Sequence, residues 1–303
     1  DDVTLNGWVK QTIGLLEAIY QRIRDDMLKS GYLMADETTI KVLDKDKEGS
    51  THLGYYWAYL DPVKRSAMFV YEKGRAGSFV RTHLNGFRGF LQTDAYSAYD
   101  SLPQTYTDII MMGCWTHVRR KFIDALAVER EQAQWFVEQI QLLYAIERFC
   151  RMRQMEPSER LAMREHAKPI LQGIKARMLE IAPDLTPSNV LNTAIRYTLK
   201  QWDELLVYTT NGALEIDNNL VENSIRPIAL GRKNYMFAGN HEAAQRNAVI
   251  YSILATCKAC NINPLAYLSD VLDKLPARKI NNIEDLLPWN WKPDGVFAEL
   301  EKM

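Results

Sequence analysis

The hydrophobic pattern of this chain changes period twice, and those two changes bound the architecture. Residues 5 to 29 set Leu5, Trp8, Val9, Ile13, Leu16, Ile19, Ile23 and Leu28 at helical spacing, which reads as one or two amphipathic helices broken by Gly31. The period then shortens. Tyr32 to Leu43, Leu53 to Leu60 and Ala67 to Tyr71 are short runs rich in aromatic and β-branched residues, separated by charged or glycine-containing links as in an antiparallel meander. Residues 77 to 86 suit a short helix with Ser78 as its cap and Gly86 as its stop, and Gly89 to Thr93 and Asp108 to Cys114 read as two further strands. From Val118 the helical period returns and is punctuated by Pro157, Pro169, Pro183 and Pro187. Residues 211 to 219 form a polar approach to a helix beginning near Leu220. A basic, glycine-bounded loop at 231 to 239 follows Pro227, and helices from about His241 to Asn261 and after Pro264 close the pattern. No internal repeat is visible. A mixed α/β domain interrupted by a helical stretch is the partition this order supports.

Hydrophobic residues at 47% and charged residues at 25% exclude a disordered or low-complexity chain. Four cysteines are too few for a disulfide framework at this length. Cys257 and Cys260 have the spacing of a redox pair or half a metal site, but no second pair completes a tetrahedral set, so helix packing is their reading. No run of 18 apolar residues is present and the start lacks a basic-then-apolar leader, so a cytoplasmic protein without membrane attachment is expected. The acidic first residues read as a cut into a longer parent chain. The formal net charge of -1 speaks against polyanion binding on average, yet Arg226, Arg232, Lys233, Arg246 and Lys258 face only Glu222 and Glu242 between residues 222 and 260. Base is concentrated there.

Three carboxylates need an explanation. Asp36 interrupts an apolar strand candidate, and Asp94 closes another. Burying either without compensation is costly, so each needs a cation, a donor or solvent. A pair of divalent metals would meet that need; capping of turns at strand ends would meet it too. Glu222 lies on a helix whose polar face also carries Asn219, Asn223 and Arg226, which is either a site or a solvated surface. Periodicity alone cannot bring these three acids together in space. Glu37, next to Asp36, points to the opposite face of a regular strand and is expected to pair with a cation. His117, Arg119, Arg120 and Lys121 form a compact basic cluster that reads as a phosphate contact or as a solvated helix start. Tyr235 and Phe237 either stack on an unpaired base or anchor their loop in the core.

These segments resemble the transposases of the insertion-sequence-66 type, a bacterial branch of the Asp-Asp-Glu class. The matching motifs are Ala35-Asp36-Glu37-Thr38, Thr93-Asp94-Ala95-Tyr96 and Cys114-Trp115-Thr116-His117-Val118-Arg119-Arg120-Lys121-Phe122. The longest is Asp217-Asn218-Asn219-Leu220-Val221-Glu222-Asn223-Ser224-Ile225-Arg226-Pro227, continued by Leu230-Gly231-Arg232-Lys233-Asn234-Tyr235-Met236-Phe237-Ala238-Gly239, and Leu286-Leu287-Pro288-Trp289-Asn290-Trp291 closes the series. The motifs occur in order over almost the whole chain. Asn223 stands where family members commonly carry Arg, and the family's upstream helical and cysteine-rich DNA-binding part has no counterpart in this sequence.

The resemblance implies an RNase H-like mixed sheet flanked by helices and interrupted by an α-helical insertion. Asp36 would lie on the first strand, Asp94 at the fourth, and Glu222 on a helix packed against the sheet. The implied partition is an N-terminal helical segment (1–30), the core in two parts (31–124 and 211–262), an insertion (125–210) and a helical tail (263–303). It implies DNA strand cleavage and strand transfer at transposon ends, with Asp36, Asp94 and Glu222 as catalytic and metal-holding residues for Mg²⁺, or Mn²⁺ as a substitute. His117, Arg119, Arg120, Lys121, Arg226, Arg232, Lys233 and Tyr235 are the implied nucleic-acid contacts. The implied partners are double-stranded DNA at transposon ends and target DNA, with an oligomer in the DNA complex, helper proteins of the same element, and association with the nucleoid during activity. Two other readings stay open: a nuclease of the same fold without strand transfer, and a non-catalytic nucleic-acid-binding or assembly protein.

Overall fold

The computed structural model describes residues 2–43, 50–279 and 282–293, together with 295 and 297. In chain order the elements are α1 (Asp2–Leu28), β1 (Tyr32–Leu43), β2 (Thr51–Asp61), β3 (Ser66–Glu72), α2 (Gly77–His83), β4 (Gly89–Gln92), α3 (Leu102–Thr105) and β5 (Ile109–Met112). Then follow α4 (Trp115–Ala125), α5 (Arg130–Met152), α6 (Pro157–Met163), α7 (Ala167–Ile181), α8 (Val190–Lys200), α9 (Trp202–Leu206), α10 (Asn219–Asn234), α11 (His241–Ala259) and α12 (Pro264–Lys274). The five strands form one mixed sheet in the order β3-β2-β1-β4-β5, the RNase H-like arrangement, with the run of helices between β5 and α10 as its insertion. The chain divides into two compact units. One comprises Asp1–Phe90, Ser97–Ile109 and Leu220–Met303; the other comprises Leu91–Tyr96 and Ile110–Asn219.

In the first unit, β1 pairs antiparallel with β2, and β2 with β3, in a register that sets Asp36 opposite Ala58 and Glu37 opposite Trp57. Tyr32, Leu33, Met34 and Ala35 are all buried, so β1 begins covered on both faces. From Asp36 to Thr39 it is only half-buried, and the acid sits where the strand emerges from the core. The single helix α1 buries Ile13, Leu16, Ile19, Ile23 and Met27, while Leu5, Trp8 and Val9 at its start are exposed. β3 is an edge strand, and α11 covers its outer side. Ala67 N donates to Thr256 Oγ1 at 3.0 Å, and Phe69 N to Ser252 Oγ at 2.8 Å. Those hydroxyls replace the missing sheet partner. The Leu286-to-Trp291 ending folds onto α12 through Tyr267 OH to Leu286 O (2.7 Å) and Trp291 Nε1 to Asp270 Oδ2 (2.7 Å).

Two local expectations are corrected. The N-cap of α2 is Ala76, without a side-chain cap bond, and Ser78 lies inside the helix with its carbonyl accepting from Thr82 Oγ1 at 3.1 Å. Pro227 sits inside α10, and residues 231 to 234, expected in a loop, still belong to that helix. The cause is packing. Val221, Ile225 and Ile228 bury an i, i+4, i+7 stripe that spans the proline, and this burial outweighs proline's poor helix propensity. The segment after the helix bridges β1, with Leu43 N donating to Ala238 O at 2.9 Å and Ala238 N to Lys41 O at 2.8 Å.

In the second unit, α4 packs on α5 and α8, and Phe122 stacks on Phe136 with ring centres 4.4 Å apart. Its interior holds charge. Glu147, Arg160 and Arg164 are all buried. Arg164 donates to Glu147 Oε1 at 2.7 Å and to Leu214 O at 2.7 Å, while Arg160 joins Glu147 and Glu215 at 2.7 and 2.8 Å. That network fastens the stretch 211–215, which leads toward Asn219 and the start of α10. Cys114, Cys150, Cys257 and Cys260 are not joined in disulfides, and the first three are buried.

Candidate active site and nucleic-acid interface

Strand geometry separates the neighbouring acids on β1. Asp36 is half-buried, and its Oδ1 accepts from Glu37 N at 2.8 Å. The Glu37 side chain, 4% exposed, lies on the other face and is paired with Arg75, whose Nε donates to Oε1 at 3.0 Å. The cation expected for Glu37 is therefore Arg75, contributed by the link between β3 and α2.

Asp94 follows β4 by two residues. Its Oδ1 accepts from Tyr96 N at 3.0 Å, an Asx turn, and Ala95 takes a left-handed φ of 63°. Its carbonyl accepts from the Tyr197 hydroxyl on α8 at 2.9 Å. Glu222 occupies the first turn of α10, where the helix dipole favours a negative charge. It is half-buried, with Oε1 enclosed. The residues ahead of it set the helix start: Asp217 Oδ1 accepts from Asn219 N at 3.1 Å, and buried Asn218 accepts from Cys114 Sγ at 3.0 Å. Burial pushes the Cys114 thiol up to about 12, so it stays a protonated donor.

Asp36 and Glu222 belong to the first unit and Asp94 to the second. Among the described residues, no group of three or more His, Cys, Asp or Glu side chains is gathered as a metal-ion site. Each of the three acids, taken by itself, offers the kind of donor that a divalent cation of the Mg²⁺ type accepts. These are hard carboxylate oxygens at half-buried positions, on a strand, in a turn and in the first turn of a helix respectively.

The basic cluster occupies the first turns of α4. His117 and Arg119 are half-buried, and Arg120 and Lys121 are exposed. Arg120 Nη1 is 3.5 Å from His117 Nε2, and Lys121 Nζ lies 5.5 Å from the centre of the Tyr197 ring. In the first unit, Arg226 and Lys233 are exposed on α10. Arg232 instead reaches β1, donating to Thr39 Oγ1 at 2.8 Å and to Thr39 O. Tyr235 bonds the Tyr251 hydroxyl, and its ring packs against Gly231 so closely that a Cβ there would meet it at 2.7 Å. Phe237 and Met236 beside it are exposed. Asn223 lines an apolar groove of about 1100 Å³ between α10 and α11 that also touches Leu220, Pro227 and Leu254. Tyr197 and Arg75 were not legible in the sequence as the partners of Asp94 and Glu37. Tyr197 acts on a residue 103 positions away, and neither belongs to a periodic pattern or motif.

A family model described as Transposase IS66 family matches residues 1–246, and one described as IS66 C-terminal element matches 252–289. Three proteins of Sinorhizobium fredii (strain NBRC 101917 / NGR234) are similar over nearly the whole chain. The uncharacterized protein y4jD is 30% identical over 311 residues, covering 98% of this chain and 60% of its own length. The uncharacterized protein y4hP is 28% identical, covering 95% and 56%. The uncharacterized protein y4qI is 31% identical, covering 93% and 54%. The chain thus spans little more than half the length of these relatives. Among the described residues, no helix is long and apolar enough to cross a membrane.

Proposed function

This chain belongs to the IS66 transposase family, and from that premise we propose that it carries the catalytic region of an Asp-Asp-Glu transposase that cuts and rejoins DNA strands at transposon ends. The observation that carries the reading is the family match over residues 1–246, together with the placement of its three acids: Asp36 on β1, Asp94 just after β4 and Glu222 in the first turn of α10.

In the first reaction water attacks a phosphorus at the transposon end and the P–O3′ bond breaks, leaving a strand with a free 3′-hydroxyl. In the second, that hydroxyl attacks a target phosphodiester and displaces its 3′ oxygen. Asp36, Asp94 and Glu222 are the residues that would hold Mg²⁺, and the ion would supply stabilisation of the charge on the attacking and leaving oxygens. The remaining work falls to the chain's own side chains. Arg119, Arg120 and Lys121 carry positive charge on the second turn of α4, where they would attract a DNA phosphate. Arg226 and Lys233 offer exposed cations on the helix that carries Glu222. Arg232 and Tyr235 serve the interface indirectly by fixing the end of α10.

The test is cleavage and joining of a labelled transposon-end duplex by the purified chain in Mn²⁺, alongside Asp36→Asn, Asp94→Asn and Glu222→Gln. Each substitution is expected to lower both reactions by roughly 10³-fold or more without changing the melting temperature. Robust hydrolysis without joining would favour a nuclease. Retained activity in any of the three variants would remove that acid from the site.

A further inference from the structure

The chain leaves the sheet abruptly at Asp94. Thr93 N makes a bond to Met112 O at 3.0 Å, and two residues later Ala95 has turned to φ 63°. The Asp94 carbonyl lies beyond the end of β4, and its partner is the Tyr197 hydroxyl at 2.9 Å. Tyr197 is itself well held. Its helix packs on α4, Gln201 Nε2 donates to its carbonyl at 3.1 Å, and the Lys121 ammonium sits 5.5 Å from its ring centre. The turn therefore has three fasteners: Tyr197 on the Asp94 carbonyl, Asp94 Oδ1 on Tyr96 N, and Thr93 Oγ1 on Ala95 N at 3.3 Å. Two of the three are local to residues 93–96. Tyr197 reaches the turn from another element, α8 of the helical insertion.

We propose that Tyr197 is a positioning residue for Asp94, so that the helical insertion takes part in the reaction by setting the backbone from which this carboxylate would reach a metal. The inference rests on the reading of Asp94 as a metal-holding acid. It gives the insertion a role in catalysis separate from any contact with DNA.

Mn²⁺ titration of the full chain, followed by the free-Mn²⁺ electron paramagnetic resonance signal, tests it with the metal alone. Tyr197→Phe removes one hydroxyl and one neutral hydrogen bond. The expected result is Mn²⁺ binding weakened about three- to tenfold, an unchanged melting temperature, and DNA cleavage that recovers to the wild-type rate at saturating Mn²⁺. A purely structural tyrosine would lower the melting temperature and leave the Mn²⁺ affinity where it was, and that result overturns the proposal. Asp94→Asn runs alongside. If it binds Mn²⁺ like the wild type, the metal-holding reading of Asp94 fails and takes this inference with it. If it binds weakly while Tyr197→Phe matches the wild type, only the role of Tyr197 falls. Should Tyr197→Phe not fold, amide hydrogen exchange on the wild-type chain decides. Residues 95 and 96 are expected to open together with α8 as denaturant rises, and independent opening of the turn would overturn the proposal.

Discussion

Replacing Arg164 with Met should cost the second unit more stability than any other single substitution of a charged residue there. The guanidinium is 1% exposed and donates to five acceptors: both oxygens of Glu147 at 2.7 and 2.9 Å, Leu214 O at 2.7 Å, Asn211 O at 2.8 Å, and Tyr208 O. Methionine keeps the stem and removes every donor. Breaking a buried ion pair by deleting one partner costs about 3–5 kcal/mol. Arg160 still holds Glu147, which puts that loss near the low end, while the three carbonyls left without their donor add about 1 kcal/mol each where water cannot reach them. A total of about 4–6 kcal/mol follows, or a fall in melting temperature of roughly 15 °C. Guanidinium unfolding followed by the fluorescence of Trp115 and Trp202 measures it, with the midpoint moving and the slope unchanged. A second signature is the acid limb. Burial raises the pKa of Glu147, but hydrogen bonds and charge from Arg164, joined by Arg160, outweigh it and hold the carboxyl below its ordinary value. Such a group contributes stability that is fully present above the unfolded carboxylate pKa of about 4.3 and is lost as pH falls through the lower folded value. Without Arg164 the folded value rises, so acid unfolding should begin at a higher pH than in the wild type. A loss below about 1.5 kcal/mol, with the acid limb unmoved, would refute the claim that this network stabilises the unit.

Glu37→Gln should separate the two adjacent acids of β1. Its partner Arg75 is itself partly exposed, so the cost is about 1 kcal/mol, and strand cleavage at saturating Mn²⁺ is expected within threefold, or about 0.7 kcal/mol, of the wild type; a loss matching Asp36→Asn would place Glu37 in the metal site. Gly89→Ala should unfold the start of β4, because φ is 125° and the new Cβ would stand 2.3 Å from Gly31 O. A cost of about 3 kcal/mol or more is expected in a thermal melt, and a melting temperature within about 2 °C of the wild type would contradict it.

The sheet was legible because its strands are long enough to show a pattern and rich in residues that fit a pleated surface. The runs beginning at Tyr32, Leu53 and Ala67 lie within the observed strands, and the alternation that turns Glu37 away from Asp36 is the same alternation that sends it to Arg75. Placement of Asp36, Asp94 and Glu222 on their elements followed from ordered motifs. What escaped depends on tertiary partners. Pro227 carries the local signal of a helix end, yet Val221, Ile225 and Ile228 are buried on both sides of it. The basic stretch after it, read from sequence as a loop, displayed Arg232 and Tyr235 as candidates for DNA, but whether such groups face solvent depends on Thr39 and Tyr251, and neither adjoins them in sequence. Tyr197 had no local signal because its importance lies in one hydroxyl meeting one distant carbonyl.

The cover over β3 has a consequence for how the protein is made. Ala67 and Phe69 obtain partners for their outward N–H groups only from Thr256 and Ser252, which are 189 and 183 residues later in the chain. At a synthesis rate of about 5–20 residues per second, the edge of the sheet waits roughly 10–40 s for its cover. Throughout that interval a strand reading Ser-Ala-Met-Phe-Val-Tyr-Glu can pair with a neighbouring nascent chain on the same message. Slow translation between α4 and α10 should therefore lower the yield of soluble protein, whereas slow translation after α11 should leave it unchanged.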